Sequence, residues 1–234
     1  MPTLVIGNKL YSSWSLRPWL LLKQLGIAFD EVLIPLHQPD TKARILKHSP
    51  AGKVPILIEG DVAVWESLAI MDHVGETYDD AEVWPRDPHA RAMARSVAAE
   101  MHAGFQALRS ACPMNLGKRF GERDRGPEVA RDVARVTEIF REARERFGAG
   151  GPFLFGEFSA ADAMYAPVVT RLDTYAIPVD RVSRDYMDAI LSLPAYREWL
   201  EAALDEPWVL EFDEVDEEPA KVLRRKNPSP RGEG

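Results

Sequence analysis

Lys53-Val54-Pro55-Ile56, followed after one short hairpin's worth of residues by Trp65-Glu66-Ser67-Leu68-Ala69-Ile70, is the stretch that decides the fold. The first segment reads as a strand entered through an X-Pro bond, where a proline sacrifices no ladder hydrogen bond that matters. The Ser49-Pro50-Ala51-Gly52 lead-in supplies the turn. The sequence leaves the Val54-Pro55 isomer open; a cis bond would turn the Val54 N–H and C=O outward, toward a ligand. The second segment reads as a helix start, because Leu68, Ala69, Met71 and Val74 continue with helical spacing. Free N–H groups at that start attract a carboxylate, Ser67 adds a hydroxyl donor, and Glu66 can pair with an ammonium. One end of such a site favours a carboxylate and the other an amine, as an α-amino acid provides. A cap and a strand start, each by itself, would be ordinary structure; their order and spacing point to a site.

Outward from this pair, Thr3 to Ile6 reads as a buried strand, Leu16 to Leu25 as a helix ended by Gly26, Phe29 to Ile34 as a second strand, and Thr41 to Lys47 as a short helix. Val54 to Glu59 and Val62 to Val64 flank a Gly60-Asp61 turn as a hairpin, and Leu68 to Tyr78 is helical. This βαβαββα order resembles the thioredoxin-like fold and occupies residues 1–79. Residues 80–88, with Trp84-Pro85-Arg86-Asp87-Pro88, read as a stiff linker. Residues 89–212 read as an all-helical domain. Its expected helices run from His89 to Arg109, from Val129 to Phe147, from a capping box at Ser159-Ala160-Ala161-Asp162, and from Ala195 to Leu204. The charged segment 213–234, which contains Arg224-Arg225-Lys226, reads as a mobile tail.

The net charge of −8 argues against a nucleic-acid partner, whose phosphates demand a basic surface. A single cysteine, Cys112, rules out an internal disulfide and suits a reducing compartment. It reads as a small buried apolar residue. The histidines, His37, His48, His73, His89 and His102, form no i,i+4 pair, so no metal site is expected. No secretory leader is legible at the N-terminus, and the apolar run Trp19 to Leu22 is far too short to cross a membrane. The expected setting is cytoplasmic.

Between the first strand and first helix lies Tyr11-Ser12-Ser13-Trp14-Ser15-Leu16-Arg17-Pro18. Because proline is best tolerated in a helix's first turn, Pro18 places the cap near Ser15 and leaves Ser12 and Ser13 at the helix mouth. A thiol held there would feel the helix N-terminal partial charge and could accept a hydroxyl hydrogen bond as its thiolate, both of which lower its pKa.

Together these motifs resemble the glutathione transferase family, over roughly the first ninety residues and more loosely beyond. Ser12-Ser13-Trp14-Ser15 is similar to the Ser-Ser-Cys-Ser loop of the zeta class, and Trp14-Ser15-Leu16-Arg17-Pro18 to the Cys-Ser-Leu-x-Pro segment of the bacterial beta class. The resemblance implies that glutathione is a co-substrate, with no metal. It implies that Lys53 meets the glycine carboxylate, that Val54, ahead of Pro55 in the same glutathione-binding stretch, pairs with the cysteinyl backbone, and that Glu66 and Ser67 hold the γ-glutamyl end; His37 or Gln38 could add a contact at the glycine end. Ser12 would bond the sulfur, with Ser13 as the alternative. The family's cysteine falls on Trp14, which removes mixed-disulfide chemistry. Trp14, Met101, His102, Phe105 and Arg109 would line the second-substrate pocket, where charge favours an anionic substrate. A homodimer conjugating glutathione to a small electrophile, in a detoxification role, is the activity implied. A non-catalytic binding protein on the same fold and a glutathione-dependent isomerase are the alternatives.

Overall fold

A computed structural model describes residues 1–78 and 80–225. Strands β1 (Thr3–Ile6), β2 (Asp30–Leu33), β3 (Ile56–Glu59) and β4 (Val62–Trp65) form one sheet in the order β2-β1-β3-β4. β1 runs parallel to β2, whereas β1 with β3 and β3 with β4 are antiparallel. Alternation along the strands sorts the two faces. Leu4, Ile6 and Leu57 enter the main core beneath α1 (Ser13–Gln24) and α3 (Ser67–Thr77). Val5, Ile34, Ile45 and Ile56 form a separate cluster on the opposite face, where α2 (Thr41–Leu46) packs.

The helical half comprises α4 (Pro88–Ala103), α5 (Gln106–Ala111), α6 (Pro127–Phe147), α7 (Ala160–Thr174), α8 (Arg181–Ser192) and α9 (Pro194–Leu204). At its centre is α7, buried at every position except Asp173. Its start is fixed by the expected capping box: Asp162 accepts from Ser159 N–H at 2.9 Å, and its other carboxylate oxygen accepts from Leu154 N–H at 3.0 Å. The two halves share one core, in which Trp19 of α1 meets Trp199 of α9 edge-on at 5.1 Å. The architecture is a thioredoxin-like domain followed by a helical domain.

In the second half of the chain the structure departs from the sequence expectation in three places. The helix expected from His89 to Arg109 breaks at Gly104, and Phe105 takes a left-handed conformation with φ 57°. The turn buries the Phe105 ring beside Tyr165 and lets Leu108 N–H donate to Asp132 of α6 at 2.9 Å. Helix α8 was not anticipated, although its buried residues Ser183, Tyr186, Met187 and Ile190 are spaced for one helical face.

The third departure is the tail. Residues 213–225 are not a free tail but a strap folded across both halves, and residues 226–234 lie outside the described residues. A short strand, β5 (Lys118–Arg119), pairs with β6 (Lys221–Val222), so the second half is not wholly helical. Upstream of the strap, Glu206 accepts from the N–H groups of Lys9 and Leu10 at 2.7 and 3.1 Å. Glu214 accepts from the Tyr11 hydroxyl at 2.7 Å and pairs with Lys118 at 2.6 Å. Glu217 is gripped by Arg125 at 2.8 and 3.1 Å. The charges that suggest a solvated tail meet partners far away in sequence. Among the described residues, no helix is long and apolar enough to cross a membrane.

If the strap is a fixed element, the amides of Leu223 and Arg224, both donated to the Gly117 carbonyl, are protected from hydrogen exchange. Glu206→Ala leaves two buried N–H groups unpaired and is expected to lower stability by about 1–3 kcal/mol. Unprotected strap amides in exchange mass spectrometry, or an unchanged denaturation midpoint in the variant, would contradict the docked arrangement.

Candidate active site

The Val54-Pro55 bond is cis, and β3 begins directly after it. Glu66 sits between β4 and α3 with φ 69° and ψ 127°, a region non-glycine residues seldom occupy and one that clusters at ligand sites. This backbone sets Ser67 as the first residue of α3, with its side chain buried. Lys53, Val54, Pro55, Glu66 and Ser67 line one side of a cavity of about 320 Å³, and Trp14, His102 and Arg109 line the other. His102 reaches across to Glu66 at 3.2 Å and packs edge-on against the Trp14 ring at 5.1 Å.

A larger cleft of about 630 Å³ adjoins it, with Trp14, Lys53, Val54 and Arg109 common to both. Ser12 and Ser13 open into this second space, as do His37, Gln38 and Arg171. His37, with φ 57°, packs its ring on Phe212, just before the strap, at 4.4 Å.

Helix α1 starts earlier than Pro18 suggests. Its cap is Ser12, Ser13 is its first residue, and Pro18 falls in the second turn, where it withholds the bond that would reach the Trp14 carbonyl. Ser15 is not the cap. Its buried hydroxyl accepts from Gly7 N–H at 3.0 Å and from the Ser12 hydroxyl at 2.8 Å, tying the loop to the end of β1. Ser13 Oγ instead accepts from Arg171 at 3.3 Å.

Three arginines converge here, and none has a carboxylate within ion-pair distance among the described residues. Arg17 is buried and donates to the carbonyls of Met164 at 3.1 Å and Ser13 at 2.8 Å, with its guanidinium 4.1 Å from the Trp14 ring centre. Arg109 covers the same ring at 5.0 Å. Arg171 donates to the carbonyls of Arg109 and Cys112. Burial, reinforced by neighbouring arginines, holds Arg17 well below its ordinary pKa and Arg171 down to about 10; burial alone lowers Arg109. Sequence reasoning missed Arg17 and Arg171. An arginine inside a helix as uniformly apolar as α7 is the signal that could have found the second.

The expected second-substrate stripe divides. Met101 is fully buried, its sulfur accepting from Arg17 at 2.8 Å, and Phe105 is buried in the core, so neither lines either cavity. The helix break turns Phe105 inward, and the inward face of α4 carries Met101 against α7. His102 and Arg109 do face the cleft. Among the described residues, no cluster of three or more His, Cys, Asp or Glu side chains could hold a metal ion.

Comparison with known proteins identifies the family and its fold. Residues 11–77 match the model for the glutathione S-transferase N-terminal domain, and residues 126–202 match the model for its C-terminal domain. The chain belongs to the glutathione transferase family. It is 24% identical over 189 residues to a probable maleylacetoacetate isomerase of Caenorhabditis elegans, covering 79% of this chain and 86% of that one. It is 25% identical over 171 residues to a zeta-class glutathione S-transferase of Euphorbia esula, covering 72% and 75%. The fold is shared with a Burkholderia glutathione transferase homologue solved with bound glutathione, at TM-score 0.64 and 21% identity over 86% of this chain and 97% of that one.

Cys112 lies outside both cavities, fully buried, and burial pushes its thiol up to about 11. It is expected to resist iodoacetamide in the native protein and to react only on unfolding. Rapid native labelling, read by mass spectrometry, would contradict this.

Proposed function

We propose that the protein is a glutathione transferase that presents glutathione as its thiolate to a small electrophile bearing a carboxylate. The observation that carries the reading is the continuity of the two cavities: Glu66 and Ser67 at one end and the serine loop at the other share the walls Trp14, Lys53, Val54 and Arg109. In that span the γ-glutamyl carboxylate meets the N–H groups of α3 and its amine meets Glu66. The cysteinyl main chain pairs with Val54, the glycine carboxylate meets Lys53 with His37 nearby, and sulfur lies at the mouth of α1. Ser12 and Ser13 are the hydroxyls available there.

The thiol proton leaves to solvent. A sulfur lone pair then forms the S–C bond as the leaving group departs with its electrons or, in an addition, as the neighbouring carbon gains a proton. The protein's contribution is a larger thiolate fraction and proximity. With tryptophan at position 14, no cysteine shares the work.

Anionic selectivity rests on Arg109, whose guanidinium borders both cavities. It also favours a second reading, a glutathione-dependent isomerase acting on a carboxylate-bearing substrate, in line with the isomerase names among the relatives. In that case sulfur adds and later departs, and no conjugate accumulates. We also propose a homodimer: Val62 and Trp65 are exposed on β4, the edge strand of the sheet, where a second subunit would cover them. Cytoplasmic residence and a detoxification role accompany the reading.

Glu66→Gln and Ser67→Ala are expected to raise the glutathione KM with kcat little changed, because the contacts are remote from sulfur and serve ground and transition states alike. An unchanged KM in both would rule out this placement of the tripeptide. Arg109→Gln is expected to lower kcat/KM for carboxylate-bearing electrophiles by about tenfold or more, a charged hydrogen bond being worth about 1.5–3 kcal/mol. Neutral electrophiles should be spared; equal losses for both would remove anion recognition from Arg109.

A further inference from the structure

We infer that Arg171 is a positioning residue for the glutathione thiolate, acting through the Ser13 hydroxyl, so that the donor holding sulfur is set from the helical half of the molecule. The inference rests on the reading of the cleft as a glutathione site and adds to it a residue on a different element.

The two candidate serines are wired differently. The Ser12 proton is committed to Ser15 Oγ at 2.8 Å, and that oxygen also receives the Gly7 N–H at 3.0 Å. Ser12 is therefore part of the scaffold that ties the loop to β1. Ser13 is the reverse. Its oxygen accepts from Arg171 at 3.3 Å, and among the described residues no acceptor takes its proton. A hydroxyl whose lone pair is held by a guanidinium is a stronger donor, because hydrogen bonds in a chain polarise one another and a charged member strengthens them further. The Ser13 proton is thus both free and activated, and it faces the cleft at the start of α1.

The charge balance points the same way. Arg171 is 5% exposed, its Nε is buried without a partner, and its remaining contacts are the neutral carbonyls of Arg109 and Cys112 together with Ser13. Arg17, 1% exposed, grips the same residue from the other side through the Ser13 carbonyl at 2.8 Å. Two buried cations hold one residue by its side chain and its main chain, and neither forms an ion pair with a carboxylate among the described residues; Asp213, on the wall of the same cleft, is the carboxylate that acts on Arg171 from farther away. Buried cations without a directly paired counter-ion are costly, and an anion at Ser13 relieves that cost. Arg171 is occupied by Ser13 and two carbonyls, whereas Arg109, which gives one N–H to the Gly104 carbonyl at 3.3 Å and lies over the Trp14 ring, borders both cavities and can face a substrate carboxylate. The two arginines therefore divide the work.

The test is the ionisation of the enzyme-bound thiol, followed by thiolate absorbance against pH, with glutathione affinity measured separately by calorimetry. Ser13→Ala and Arg171→Met are each expected to raise the bound thiol's apparent pKa by about one unit or more, the loss of a charge-assisted hydrogen bond. The double variant is expected to move it no further than the larger single shift, because both remove the same chain. Ser12→Ala should leave it nearly unmoved. Should Arg171→Met fail to fold, Arg171→Lys, which keeps the charge without the planar fork, is expected to give a smaller upward shift.

Normal glutathione affinity with an unmoved pKa in Arg171→Met, or in Arg171→Lys if only that variant folds, would overturn the inference. A shift in Ser12→Ala but not Ser13→Ala would do the same, as would additive shifts in the double variant. So would a variant of Arg171 that loses inhibition by succinate while the thiol pKa stays put, since Arg171 would then serve the second substrate. A wild-type protein that binds no glutathione would instead remove the glutathione reading of the cleft, and this inference with it.

Discussion

Helix α1 lies against α7, and the molecule is organised around that contact. Arg17 crosses from α1 to the Met164 carbonyl, and Arg171 crosses back from α7 to Ser13. Each guanidinium is fully desolvated and satisfied mainly by carbonyls. An ion pair in such a place would gain little net stability, since desolvation takes back most of the Coulomb attraction. Carbonyl-only satisfaction gains less still. Residues placed this way hold the domains in one register and keep a positive potential at the junction, at some expense of stability.

The same contact explains the pairing of a strained backbone with a rigid one. Ser67 begins α3 with its hydroxyl 3.7 Å from the Met164 sulfur, so the helix start at one end of the cleft leans on the residue whose carbonyl takes Arg17. Glu66 is held at positive φ just before it. Movement of α7 would be felt at both ends of the cleft, at the start of α3 and at the serine loop.

The sheet and most helices were legible because their signals are local. Alternation in Thr3 to Ile6, the Gly60-Asp61 turn and the Ser159 capping box each act within a few residues. The poles of the cleft were legible for the same reason, since an X-Pro strand entry and a helix start are short motifs. What escaped depends on long-range partners. Pro18 pointed to Ser15 as the cap, but Ser15 is claimed by Gly7, and the helix begins three residues sooner. Met101 and Phe105 carry the composition of a pocket lining, and only the turn at Gly104 and the approach of α7 decide that they are core. The strap's charges look solvated until Arg125, Lys118 and Tyr11 are seen to meet them. Arg171 was missed because nothing near it in sequence shows that a serine far upstream is its partner.

The strap bears on the order in which the molecule can be made. The residues of the sheet and its flanking helices are all present once Thr77 has been made, well before the rest of the chain. The segment leading into the serine loop is different. Lys9 and Leu10 are held by Glu206, and Tyr11 by Glu214, residues near the other end of the chain. On the ribosome this segment is therefore unclamped for most of translation. The serine loop becomes set only when residues 206 to 214 arrive.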